Sequence, residues 1–269
     1  MGKVSQRFIA FLLGGLLITL HSLAYAQSGE QIFDIPTRNG VTNRIMVLSP
    51  PHPQATFILM AGGHGGLQLQ PNGSFKWGSG NFLVRSRQLF AQEGVAVIVV
   101  DAPSDRQVAP FLMGFRQSVE HAEDLRAVIS WARDHWQVPV WVVGTSNGTL
   151  SAVWVATQLQ GQDAPNGIVL TSSVLRLPSR RGPSVPEMAL GSIHIPVLVV
   201  HHERDACEWC PFSQIQSLMD KLKAGPQAEL ITFTTGLAWG GPCESFHYHG
   251  FNAIEPEVTH RIVQWIASR

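Results

Sequence analysis

Val142-Val143-Gly144-Thr145-Ser146-Asn147-Gly148-Thr149 joins an apolar run, residues 138–143, to a helical pattern that continues to about residue 160. The core of the stretch reads G-x-S-x-G, and its position between a buried strand and a helix gives so short a match its meaning. A serine in a tight strand-to-helix turn needs strained backbone angles. Gly144 and Gly148 omit the side chains that would collide in such a turn, so the hydroxyl stands clear above the strand end. The helix that follows points its positive N-terminal end at any negative charge developing beside that hydroxyl.

On either side of this stretch the chain alternates short apolar runs with helical periodicity, the sequence form of a parallel sheet covered by helices. Strands are expected at 31–36, 44–48, 55–60, 95–100, 138–143, 167–171, 196–201 and 229–233, the first two antiparallel. Helices are expected at 82–93, 117–136, 147–160, 212–222 and 255–267, and the long one should turn Val119, Ala122, Leu125, Val128, Ile129 and Ala132 inward. Residues 101–105 read as a loop. Residues 172–192, rich in Pro, Arg and Ser, have room for a small flap but not for a helical cap. The fold class is therefore α/β, a mostly parallel sheet of about eight strands flanked by helices with a small lid or none.

The 269 residues carry 19 Lys+Arg against 19 Asp+Glu, and charged residues make up only 14% of the chain. This balance offers no electrostatic footprint for nucleic acid or an anionic membrane surface. The N-terminus has the form of a secretory signal: Lys3 and Arg7, an apolar run at 8–20, and Ala24-Tyr25-Ala26 as an A-x-A cleavage site. Residues 1–26 are thus expected to be a signal peptide cut between Ala26 and Gln27, leaving 27–269 as one domain in the periplasm or outside the cell. The apolar run falls short of the roughly 20 residues that span a bilayer, so no stable membrane anchor is expected after cleavage.

A serine hydroxyl is a weak nucleophile at neutral pH and needs a base within hydrogen-bond reach, itself oriented by a carboxylate. On this type of sheet the order along the chain is serine, acid, histidine. Asp205, in the loop leaving the 196–201 strand, is the expected acid, with Glu203 and Glu208 as competitors. His249, followed by Gly250 and Phe251, is the expected base, with His247 as its rival; His260 lies within the last helix and reads as structural. Backbone donors for an oxyanion are expected from Asn147 and from Gly63 or His64 in the cluster Gly62-Gly63-His64-Gly65-Gly66. No Gly-Lys-Ser/Thr follows that cluster, which argues against a phosphate cradle.

Together, Gly62 to Gly66, Gly144 to Gly148, Asp205 and His249-Gly250-Phe251 resemble the α/β-hydrolase superfamily over nearly the whole mature chain. The segments Asn81 to Arg87 and Asp101 to Asp105 look like those of exported bacterial members. The resemblance implies a Ser-His-Asp hydrolase acting on a small acyl compound, usually an ester, without metal or organic cofactor. It does not identify a substrate, and the chain departs from common patterns at His64 and at Asp101-Ala102-Pro103. Peptidase, amidase or acyltransferase chemistry would use the same atoms, and a silent fold serving as a binding protein is the non-enzymatic alternative.

Cys207 lies two residues beyond the expected acid and Cys243 six before the expected base, so a Cys207–Cys243 disulfide would tie the two loops together. The rival pairing is Cys210–Cys243, and three unlinked thiols are the remaining possibility. His201, His202, His247 and His249 could also read as a metal cluster, but no H-E-x-x-H helix accompanies them, and the expected metal set is none. Oligomeric state is not legible.

Overall fold

The computed structural model describes Gly2, residues 29–223 and residues 227–269, so the expected leader lies, Gly2 apart, outside the described residues. Among the described residues eight strands form one open sheet in the order β1-β2-β4-β3-β5-β6-β7-β8. β1 (Gln31–Arg38) and β2 (Val41–Leu48) pair antiparallel, and β2 joins β4 (Val95–Pro103) antiparallel. β3 (Ala55–Met60), β4, β5 (Val140–Thr145), β6 (Gly167–Thr171), β7 (Val197–His202) and β8 (Ala228–Phe233) run parallel. Every residue of β3 to β7 is buried. Burial on both faces is why these strands appear in the sequence as unbroken apolar runs rather than as alternation.

Two apolar layers cover the sheet. On one face α3 (Val119–Trp136), α4 (Gly148–Gln158) and α5 (Ile215–Leu222) contribute Leu125, Val128, Val153 and Leu218. On the other, α1 (Phe82–Arg85), α2 (Arg87–Gln92) and α6 (Glu255–Ala267) contribute Phe82, Phe90, Val258 and Ile262. Among the described residues no helix is long and apolar enough to cross a membrane.

Four expectations need correction. The 82–93 helix is broken at Ser86, whose φ of −90° and ψ of 1° leave helical geometry and begin a second short helix. Residues 101–103 are strand, not loop, because Pro103 pairs with Asn43 and the Asn43 side chain donates to the Asp101 carbonyl. Val119 is 63% exposed, since Ser118 caps the helix there and the first turn faces solvent. Residues 172–192 contain three short 3-10 turns, and their Val174, Val185 and Leu190 are buried in the core, so the segment is anchored rather than a flap.

Candidate active site

Ser146 follows β5 with φ of +51°, the left-handed region that side chains other than glycine rarely adopt. The surroundings hold it there. Its N–H donates to the Thr171 carbonyl at 3.0 Å, and its own carbonyl accepts from the Thr149 N–H at 2.9 Å. A side chain on Gly144 would run into the Gly148 carbonyl, and one on Gly148 into the Met60 carbonyl of β3. Both clashes are with backbone, which cannot move aside, so the two glycines are required by close packing of the turn on the sheet.

The turn opens into a cleft of about 410 Å³ lined by Ser146, His249, Gly62, Gly63, Trp77 and Phe246 among others. His249 reaches it from a short 3-10 turn after β8, and its Nδ1 lies 2.9 Å from Asp205 Oδ2. Asp205 is buried, and its other oxygen accepts from the Cys207 N–H at 3.0 Å. Burial alone would raise the pKa of this carboxyl group. Hydrogen bonding from His201 and His249 outweighs that and brings it down to about 2, so Asp205 is ionised at neutral pH. An ionised carboxylate beside Nδ1 requires the proton on that nitrogen, which leaves Nε2 as the acceptor.

Burial separates Asp205 from its competitors: Glu203 and Glu208 are exposed, and Glu203 accepts from Thr232 Oγ1. His247 is half-buried, packs edge-on against Tyr248 and makes no hydrogen bond or ion pair with Asp205. His260 pairs with Glu93 on the surface. The four histidines weighed as a metal cluster do not converge. His201 Nε2 lies 2.9 Å from the Cys210 carbonyl, and His202 Nε2 lies 2.6 Å from that of Thr235. The Cys207 and Cys210 sulfurs and a His249 ring nitrogen do lie within 4.8 Å of one another, a grouping the sequence reading did not contain. The Cys207 sulfur is 2.06 Å from that of Cys243, while Cys210 is a buried free thiol.

Of the expected oxyanion donors, Gly63 lines the cleft, whereas His64 lies beyond it with its ring between Trp77 and Phe111. The N–H groups of Gly63, His64 and Asn147 find no acceptor among the described residues. The carbonyl side of the turn is occupied: Gly63 O accepts from Asn147 Nδ2 at 3.1 Å and from the Arg116 guanidinium at 3.4 Å.

Three further residues, to which the sequence assigned no role, hold the site. Arg85 donates to the carbonyls of Gly80 and Gly250, each at 2.6 Å, and pairs with Glu255 at 2.8 Å, so it clamps the backbone beside His249. Ser172 Oγ donates to the His249 carbonyl at 2.7 Å. The Asp101 carboxylate accepts from the N–H groups of Leu67, Gln68, Leu69 and Ala102, which fixes the chain leaving the glycine cluster. Only the unusual Asp101-Ala102-Pro103 stretch hinted at the last of these.

No protein-family model matches this sequence, and no curated protein matches it. Solved structures do match in three dimensions. An esterase of Pyrococcus furiosus superposes with a TM-score of 0.63 at 14% identity, covering 89% of this chain and 92% of that one. A dienelactone hydrolase of Anabaena variabilis gives 0.61 at 14%, over 89% and 97%. A lidless α/β serine hydrolase of Xanthomonas campestris gives 0.55 at 16%, over 88% and 94%. The chain has the α/β-hydrolase fold.

Proposed function

We propose that this protein is an exported serine hydrolase that cleaves a carboxylic ester through Ser146, His249 and Asp205. The observation that carries the reading is the buried His249–Asp205 pair at 2.9 Å, opening onto the same cleft as a serine held at positive φ. That esterases and a serine hydrolase share the fold supports the hydrolytic class.

In the proposed reaction His249 Nε2 takes the Ser146 proton as Oγ attacks the acyl carbonyl, and Asp205 stabilises the imidazolium that forms. The oxyanion would be met by the N–H groups of Gly63 and Asn147, with His64 the alternative donor; each such donor typically lowers the barrier by about 3 to 4 kcal/mol. Collapse of the tetrahedral intermediate expels the alcohol, which takes the proton from His249, and leaves an acyl-enzyme. Water, deprotonated by the same nitrogen, attacks that ester and returns the proton to Ser146 Oγ as the acid departs. A cleft of about 410 Å³ suits a small acyl compound. A leader at 1–26 and a Cys207–Cys243 disulfide fit a protein that works in an oxidising compartment.

The test is a panel of 4-nitrophenyl esters of graded acyl length set beside aminoacyl anilides, with the 27–269 chain and its Ser146→Ala variant. Ester turnover is expected, and is abolished by the substitution; turnover of anilides alone would make the protein an amidase. A well-folded protein inert to the whole panel would favour the binding-protein alternative.

A further inference from the structure

Beside the cleft, across Asn147, lies a second cavity of about 500 Å³. Leu112, Leu150 and Leu177 give it an apolar floor, while Arg116, Arg180 and Arg181 line it with positive charge and no carboxylate does. Arg38, Arg44, Arg85 and Arg87 each have a carboxylate within 3.0 Å. The three cavity arginines have none among the described residues.

Arg116 is buried and all its partners are neutral: Ser151 Oγ and the Ala61 carbonyl, each at 2.9 Å, and the Gly63 carbonyl. Its Nε has no acceptor among the described residues. Burial pulls its pKa down to about 9, which still leaves it cationic at neutral pH. Arg180 is exposed and makes no hydrogen bond or ion pair among the described residues, and Arg181 rests on the Trp209 ring at 5.3 Å. A buried cation with no counter-charge is costly, and an anion arriving in the cavity would offset that cost.

The cavity and the cleft belong together. Both open at the C-terminal ends of the parallel strands, where ligands of open α/β sheets bind. They share a wall: Asn147, next to Ser146, lines the cavity, and its Nδ2 holds the carbonyl of Gly63, which lines the cleft.

We propose that this cavity is a subsite for a carboxylate carried by the ester substrate, so that the preferred substrates are esters bearing a second, anionic group on a short apolar spacer. This rests on the hydrolase reading for the ester, but not for the anion site itself.

Two measurements separate the claims. First, steady-state kinetics compare 4-nitrophenyl butyrate with 4-nitrophenyl hydrogen glutarate, which adds a terminal carboxylate. The expected KM is about tenfold lower for the glutarate monoester. In Arg180→Gln/Arg181→Gln that advantage is lost through KM, with kcat for both esters and KM for the butyrate within about twofold. Salt at about 0.5 M should erode the same advantage. Second, calorimetry follows glutarate binding to Ser146→Ala, expected to weaken at least tenfold when both arginines are replaced. If neither ester is turned over, the hydrolase reading fails while the titration still decides the anion site. Equal KM values for the two esters in the wild type would overturn the proposal. So would glutarate binding indifferent to the arginines, or an anion that binds there while monoester KM ignores it.

Discussion

Replacing Cys207 and Cys243 together by serine should make the protein much easier to unfold while sparing most of its chemistry. Their sulfurs lie at bonding distance, with a sequence separation of 36. In the chain-entropy treatment a loop of that length removes about 13 cal/mol/K from the unfolded chain, or about 3.8 kcal/mol at 25 °C, before native-state strain is subtracted. Against a typical total of roughly 5 to 15 kcal/mol this is a large share. The assay is urea unfolding of the oxidised wild type, the Cys207→Ser/Cys243→Ser variant and a Cys210→Ser control. The double variant is expected to lose about 3 to 4 kcal/mol and to show a larger m-value, because its unfolded chain is no longer cross-linked. At low temperature it should keep ester turnover within roughly tenfold, since the contacts of Arg85 and Ser172 on the His249 loop remain. A loss under about 1 kcal/mol in the double variant, or Cys243 recovered as a free thiol from the protein purified without reductant, would refute the reasoning.

The remaining predictions concern groups around the same loops. Asp205 has a folded pKa of about 2, below its ordinary value near 3.8, so the unfolded chain binds the proton first as the medium is acidified. Its contribution is complete above about pH 4 and lost as pH falls toward 2, on the order of 2 kcal/mol, and Asp205→Asn should flatten that segment of a stability–pH curve. The same substitution should lower kcat by roughly 10³ to 10⁴, read from ester hydrolysis at pH 7. Arg85→Met strips the Gly80 and Gly250 carbonyls and Glu255 of their partner. It should cost about 3 kcal/mol in urea unfolding, with kcat reduced more than KM is raised and part of both recovered in Arg85→Lys. Gly148→Ala should be inactive or unfolded by circular dichroism, because the added methyl meets the Met60 carbonyl.

The strands were readable because burial on both faces makes them continuous apolar runs, and the turn at Ser146 because close packing demands glycine on either side. The candidate acid and base could be narrowed to a loop each, but not to a residue by spacing alone. Asp205 stands apart from Glu203 because it is buried, and His249 from His247 because its ring meets that carboxylate. Neither property has a local signature. The supporting contacts were invisible for a related reason: Arg85 meets the Gly250 carbonyl 165 positions away, and Ser172 that of His249, 77 away. Hydrogen bonds to backbone carbonyls ask little of the acceptor's identity, so the partner leaves no mark in the sequence. At Asp101 a carboxylate in the sequence Asp-Ala-Pro suggests a turn, whereas β2 extends far enough to keep that segment in the sheet.

Everything chemical here depends on Ser146 being a hydroxyl made reactive by His249. Treatment of the 27–269 protein with a fluorophosphonate, followed by peptide mapping by mass spectrometry, measures that directly. One covalent adduct per chain is expected, on Ser146, absent in Ser146→Ala and strongly slowed in His249→Ala. A folded protein that takes up no probe, or labelling that persists unchanged in Ser146→Ala, would contradict it.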